Sequence, residues 1–169
     1  RDGLNQHLRP QPIAIQKAEF VEDDFHARFS AKKRWYEYKI INRRPPLTID
    51  VNRAWCVYKN LDIEKMKSES SSFLGKHDLN AFRSAHCQSK NSTKTIDSVS
   101  INNKDEQIII EISAKSFLHS QVRIMVGTLV DIAKGNINKT IEDIINSKNR
   151  EVAGQTAPAS GLYLKKIDY

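Results

Sequence analysis

Residues 107–135 constrain the fold of this 169-residue chain most, because they pass directly from a strand pattern to a helix pattern. The first part is nearly all isoleucine around a single glutamate, which favours a buried strand. The second part repeats apolar residues at helical spacing from Val122 to Ala133, which predicts a helix with one buried face. Gly135 follows as a usual helix end. The chain therefore contains both a sheet and a helix with a buried face.

Arg123 lies in or near the first turn of this predicted helix, at the border of its apolar stripe. A cation there faces the positive end of the helix dipole, which is mildly unfavourable. The arginine can be explained by a carboxylate elsewhere in the fold, by a phosphate, or by a side-chain stem that covers the core. Spacing alone leaves all three interpretations open.

Other segments predict further strands and helices. The predicted strands are residues 13–20, 34–41, 54–58, 95–101 and 107–113, with a last strand from Gly161 onward. The predicted helices follow the capping residues Asp62 and Thr140. Residues 3–12 predict a polar lead-in and residues 77–93 a long polar loop. Grouped strands with helices between them predict an α+β fold, a mostly antiparallel sheet flanked by helices. No repeat or linker divides the sequence, so we expect one domain over residues 1–169.

The helix after Asp62 is expected to have five inward-facing residues and to stop at Gly75. These residues are Ile63, Met66, Ser70, Phe73 and Leu74.

Composition limits the kinds of binding partner and the cellular compartment that we expect. The chain has 27 lysines and arginines against 20 acidic residues, a net charge of +7, which favours an anionic partner. No apolar run is long enough to cross a membrane, and no signal-peptide pattern opens the chain. The two cysteines, Cys56 and Cys87, suggest no disulfide framework, so a cytoplasmic location is expected. The five histidines show no metal-ligand spacing, so no metal is expected.

Residues 34–38, Arg-Trp-Tyr-Glu-Tyr, place aromatic residues beside the basic Lys32-Lys33-Arg34 group. Rings that stack on bases and cations that meet phosphates suit RNA, but aromatics are also common in ordinary strands. Basic residues recur elsewhere and could track a phosphate backbone or form scattered solvated faces. The basic groups are Lys32-Lys33-Arg34, Arg43-Arg44, Arg83, Lys90 with Lys94, and Lys165-Lys166.

His26 and His119 could act as a general acid and base, as in a ribonuclease. Nothing in the sequence places them together, so structural histidines are the simpler interpretation. Paired carboxylates, a glycine-rich phosphate loop and a nucleophile elbow are absent from the sequence.

Three segments form a joint pattern: residues 24–31 (Asp-Phe-His-Ala-Arg-Phe-Ser-Ala) followed by Arg34-x-Tyr36-x-Tyr38, residues 117–127 (Phe-Leu-His-Ser-Gln-Val-Arg-x-Met-Val-Gly), and residues 157–164 (Ala-Pro-Ala-Ser-Gly-Leu-Tyr-Leu). Together they resemble the tRNA pseudouridine synthase A family, in family order and over essentially the whole chain. The resemblance implies isomerisation of uridine to pseudouridine at positions 38–40 of the tRNA anticodon stem-loop. It implies no metal or organic cofactor, tRNA as partner, and a homodimer.

The resemblance also implies residue roles. Tyr36 matches the tyrosine that stacks on the target uracil and helps remove its C5 proton, and Arg123 matches the arginine that pairs with the catalytic aspartate. Gly161 and Leu162 match the far side of the uracil pocket, and Arg28 is expected at the substrate. The residues expected to bind RNA are Lys32, Lys33, Arg34, Arg83, Lys90 and Lys94.

The sequence departs from the family pattern at the nucleophile. The family aspartate lies in an Arg-Thr-Asp-x-Gly-Val-His motif, which these residues do not contain. Asp2 follows an arginine, but the residues after it fit a later part of the pattern, so Asp2 is not the nucleophile. The chain is thus expected to be the C-terminal domain of the enzyme, without the N-terminal domain that carries the aspartate, and inactive alone. The alternative is a non-catalytic tRNA-binding or dimerisation module.

Overall fold

The computed structural model describes residues 1–169, which divide into two compact units, residues 1–30 and residues 31–169. The first unit contains one short helix, α1 (Asp2–His7), where the sequence predicted only a polar lead-in. The predicted strand over residues 13–20 is wrong, because no neighbouring strand pairs with it. Instead, the Asn5 side chain donates to the Ile15 carbonyl at 3.1 Å and accepts from the Ile15 N–H at 2.7 Å.

The second unit is built on a six-stranded, mostly antiparallel sheet, which confirms the predicted fold class. Its strands are β1 (Lys33–Asn42), β2 (Trp55–Val57), β3 (Gly75–Asp78), β4 (Thr93–Lys104), β5 (Gln107–Ala114) and β6 (Leu162–Asp168). One edge of β1 pairs with β5, which continues to β4 and then β3. The other edge is shared: β6 pairs antiparallel with residues 33–38, and β2 pairs parallel with residues 40–42. β1 is therefore hydrogen-bonded on both sides.

Three helices accompany the sheet in the second unit: α2 (Ile63–Ser70), α3 (Gln121–Ala133) and α4 (Ile141–Ser147). The caps predicted from sequence are confirmed, since Asp62 accepts from the Lys65 N–H at 2.9 Å and Thr140 forms a capping box with Asp143. Nearly all of α3 is buried, and it shares one core with α2 and the inward faces of β1 and β5. None of the helices combines the length and the apolar character that crossing a membrane requires.

Two details around α2 differ from the sequence expectation. Leu74, predicted to face inward, is 44% exposed, because the helix ends after Ser70 in a 3-10 turn. Phe73 in that turn is buried, as predicted. Residues 77–93 do not form one loop. A 3-10 turn follows β3 and buries Phe82, whose ring meets Phe73 edge-on at 5.0 Å between centroids. β3 was not predicted because its sequence is polar. Main-chain hydrogen bonds with β4 stabilise the strand instead of an apolar pattern.

The segment formed by residues 153–161, here called the strap, runs close to α3. An ideal Cβ at Gly127 would lie 1.9 Å from the Gln155 carbonyl oxygen, so no side chain fits there. Gly127 is thus required because the strap contacts the helix main chain directly at this position.

We expect Gly127→Ala to lower the free energy of unfolding by about 1–3 kcal/mol, because the strap must move to admit the methyl group. Denaturant unfolding followed by circular dichroism measures the change. Gly3→Ala is the matched control, since its Cβ would meet no atom within 4 Å. An unchanged midpoint for Gly127→Ala would show that the strap does not pack here.

Candidate active site

Arg123 is the third residue of α3 and is partly exposed, whereas the helix residues on both sides of it are buried. Its Nε donates to the Ala157 carbonyl at 2.6 Å, and its own carbonyl accepts from the Ala157 N–H at 3.1 Å. No ion pair in the structure includes Arg123, and its Nη atoms make no hydrogen bond. The guanidinium is therefore oriented by the strap while its outer nitrogens remain available to an anion.

Tyr36 and Tyr38 lie on the same face of β1 but differ in their surroundings. Tyr38 is fully buried and its hydroxyl donates to the Pro158 carbonyl at 2.6 Å. Burial raises the pKa of Tyr38, against the opposing effect of the nearby Arg123 charge. Tyr36 is partly exposed, its ring meets Phe117 edge-on at 5.3 Å, and its hydroxyl has no hydrogen-bond partner. Tyr38 thus fastens the strap, and Tyr36 is the tyrosine whose hydroxyl is available.

Gly161 and Leu162 lie where the strap becomes β6. A Cβ at Gly161 would lie 2.6 Å from the Tyr38 ring, so the main chain touches that ring directly. Leu162 is the register partner of Tyr38 and is partly exposed. Tyr38 is consequently central: Arg123, Gly161 and Leu162 adjoin it, and Tyr36 precedes it on the same face of β1. The sequence motif contains Tyr38 but gives no sign of its central position, which depends on contacts with residues 120 positions later.

Arg28 and His26 belong to the first unit and are described there alone. The Arg28 guanidinium carbon lies 5.7 Å from the centroid of the Phe29 ring, and the Arg28 N–H donates to Nδ1 of His26 at 3.1 Å. His26 therefore has a local structural contact at one ring nitrogen. The substrate role expected for Arg28 stays a prediction.

One end of the sheet carries three of the basic residues predicted to bind RNA, Lys33, Arg34 and Lys94. Arg34 is opposite Ala114 on β5, which is opposite Ile96 on β4, so Lys33 and Lys94 continue outward at the same end. The loop that leads into β4 is tied to the segment before α3, where the Ser84 N–H donates to the His119 carbonyl at 3.3 Å. We call the six residues predicted to bind RNA the basic rim: Lys32, Lys33, Arg34, Arg83, Lys90 and Lys94.

The cations of the chain are not equally available. Lys32 and Lys90 are exposed, whereas Lys33 lies 3.2 Å from Asp97. Lys165, outside the rim, contacts both Glu111 and Glu37, and those two hydrogen bonds raise its pKa. Within the basic groups named from the sequence, four more residues have a defined partner: Arg34 (Nη1 to the Lys115 carbonyl), Arg83 (Nη2 to the Cys87 carbonyl), Arg43 (to Glu106) and Lys166 (to Asp168). Carboxylates thus contact Arg43, Lys165 and Lys166 outside the rim and Lys33 within it.

Cys87 anchors the loop that carries Arg83. Burial acts to raise the pKa of its thiol, but hydrogen bonds from the His119 and Ser89 N–H groups and the charge of Arg83 hold the pKa below the usual value. Both cysteines are free thiols. No three His, Cys, Asp or Glu side chains lie close enough together to hold a metal ion.

The raised pKa of Tyr38 makes a prediction about alkaline pH. The folded state keeps this phenol protonated where the unfolded chain ionises it, near pH ~10. Its contribution to stability is therefore complete below that pH and is lost as the pH rises further. We expect an absorbance titration of phenolate to show one tyrosine that ionises late, and Tyr38→Phe to lack this step. Tyr58→Phe, at an exposed position, should retain it. Persistence of the late step in Tyr38→Phe would contradict the assignment.

Comparison with known proteins shows which family this chain belongs to. The family model described as tRNA pseudouridine synthase matches residues 70–169. A tRNA pseudouridine synthase A from Ehrlichia chaffeensis (strain ATCC CRL-10679 / Arkansas) is 54% identical over 170 aligned residues, which cover 100% of this chain and 69% of the relative. The proteins of the same name from Wolbachia pipientis subsp. Culex pipiens (strain wPip) and Parvibaculum lavamentivorans are 49% and 46% identical, with the same coverage. The chain belongs to the tRNA pseudouridine synthase family.

Proposed function

We propose that this chain forms one side of the active site of a tRNA pseudouridine synthase, which isomerises uridine to pseudouridine. The observation that carries the proposal is the state of Arg123. Its Nε is held at 2.6 Å from the Ala157 carbonyl, and its Nη atoms have no hydrogen-bond or ion-pair partner, while its charge lies near Tyr38 of β1. An arginine held in this way can bind a carboxylate with two parallel hydrogen bonds.

The proposed reaction breaks the bond between N1 of uracil and C1′ and forms a bond between C5 and C1′. The C5 proton leaves and N1 gains a proton, so the product is an isomer of the substrate. Tyr36 stacks on the uracil, and its unbonded hydroxyl helps to remove the C5 proton. Gly161 and Leu162 line the far side of the uracil, as the family motif implies. Chemistry at a base requires the nucleotide to leave the stack, which gives a stacking ring its use.

The nucleophilic aspartate is proposed to come from outside residues 1–169. The Arg-Thr-Asp-x-Gly-Val-His motif is not among these residues, and no carboxylate pairs with Arg123 in the structure. We propose that residues 1–169 act as the C-terminal domain and that an N-terminal domain supplies the aspartate across a cleft. As the resemblance implies, we further propose that the enzyme is a cytoplasmic homodimer with no metal or organic cofactor. Sedimentation measures the oligomeric state, and cell fractionation measures the location.

We expect Arg123→Met, in the enzyme that includes the aspartate, to lower turnover by about 10²- to 10³-fold or more, because the nucleophile loses its charged partner. The affinity for tRNA should change little. Tritium release from tRNA labelled at C5 of uridine measures turnover, and filter binding measures affinity.

Arg53→Met is the matched control, since it makes the same change at an exposed arginine. Equal losses of rate and affinity in Arg123→Met would make Arg123 a phosphate contact instead. Tritium release by residues 1–169 alone would show that the nucleophile lies within them.

The basic rim favours a second candidate function, a non-catalytic tRNA-binding module, because it does not depend on the aspartate. We expect residues 1–169 to bind tRNA with an affinity that falls steeply with salt. Replacing Lys90 and Lys94 by glutamine should lower the slope of log K against log salt by about 0.7–0.9 for each phosphate that is no longer neutralised. Lys165→Gln is the control, because two carboxylates already occupy that amine. If the complete protein bound tRNA without turnover, a tRNA-binding module would be favoured over an enzyme. Equal slopes for all variants would show that the basic rim does not contact the phosphates.

A further inference from the structure

Two buried polar side chains of α3, neither of them used in the reaction above, hold the strap. The first is Asp131, which is 7% exposed. Its two carboxylate oxygens accept from the main-chain N–H and the side-chain amide of Gln155, each at 3.0 Å. No lysine or arginine pairs with it. Burying a carboxylate is costly unless its hydrogen bonds are made, so packing alone does not explain this residue.

Thr128 lies one helical turn before Asp131 and is fully buried. Its hydroxyl donates to the Ile124 carbonyl at 2.7 Å and accepts from the Gly154 N–H at 2.9 Å. Beside it, the bare surface at Gly127 lets the Gln155 carbonyl approach. The first part of the strap is therefore fixed against the middle of α3 by side-chain hydrogen bonds.

From there the strap runs toward the N-terminal end of α3. Ala157 meets Arg123, eight residues before Asp131, or roughly two helical turns away. Only Thr156 separates Gln155 from Ala157, so the main chain has little slack to absorb a displacement. The position of the Ala157 carbonyl therefore depends on where Asp131 and Thr128 hold the strap.

We propose that Asp131 and Thr128 are positioning residues for the Arg123 guanidinium. They fix the strap so that the Ala157 carbonyl holds Nε and directs both Nη atoms toward the anion. This inference rests on the role of Arg123 proposed above. A displacement of about 1 Å at a positioned group can reduce a rate by up to about 10²-fold, so the effect is measurable.

The test uses three variants of the complete enzyme. In Asp131→Asn and Thr128→Val we expect kcat to fall about 10- to 100-fold, with KM for tRNA changed by less than about twofold. Thr128→Ser keeps the hydroxyl and should retain a rate near that of the unchanged enzyme. Asp143→Asn is the matched control, because it alters the capping box of α4 without touching the strap.

A second readout separates positioning from general destabilisation. The Nε–H signal of Arg123 in nitrogen-15 NMR can be assigned by its loss in Arg123→Lys. In Asp131→Asn and Thr128→Val we expect this signal to move and to exchange faster with solvent, at temperatures where circular dichroism shows a folded protein. The Asp143→Asn control should leave the signal unchanged.

Three outcomes would overturn the inference: an unchanged Nε–H signal in both variants, an unchanged kcat in both, or a loss in Thr128→Ser as large as in Thr128→Val. Full turnover by Arg123→Met would instead refute the proposed function. The NMR measurement would still decide whether Asp131 and Thr128 orient the guanidinium.

Discussion

The reciprocal hydrogen bonds between Arg123 and Ala157 hold the candidate site together. They join α3 to the strap, and the Tyr38 hydroxyl joins the strap to the sheet one residue later. A hydrogen bond that involves a charged group contributes about 1.5–3 kcal/mol, whereas a cation in the first helical turn costs about 0.3–1 kcal/mol. The bond to Ala157 therefore outweighs the unfavourable dipole, and the arginine is stable where it is before any substrate arrives.

Local pattern was enough to predict the strand and helix of residues 107–135, because both are specified by neighbours in sequence. Arg123 could be singled out for the same reason. The strand expected at residues 13–20 is wrong because alternation alone cannot supply a pairing partner, and β3 was hidden because pairing supports a polar sequence. The contacts of Tyr38 with the strap, and the placement of Lys33, Arg34 and Lys94 at one end of the sheet, both depend on pairing between distant segments, which no local pattern records.

Two tyrosines on one face of β1 differ in burial and therefore in what their hydroxyls can do. Tyr38 is enclosed and bonded to the strap, so its hydroxyl is committed to the fold. Tyr36, two residues earlier, is near the end of the sheet that carries the basic rim, and its ring keeps one edge-on neighbour and an unbonded hydroxyl. The same residue type therefore serves structure at one position and is available for chemistry at the next inward-facing one. The difference lies in the position of each tyrosine along β1.

The pairing of β6 with the edge of β1 also determines how late in synthesis the candidate site can form. β6 closes against residues 33–38, and the strap that precedes it provides the carbonyls of Ala157 and Pro158. Pairings between segments so distant in sequence form slowly, because a large loop has to close first. A nascent chain that has emerged from the ribosome only through α3 already contains Tyr36 and Arg123 but has nothing to orient the guanidinium. The geometry of the candidate site is thus a late product of translation, assembled only when residues 153–168 return to the first strand of the sheet.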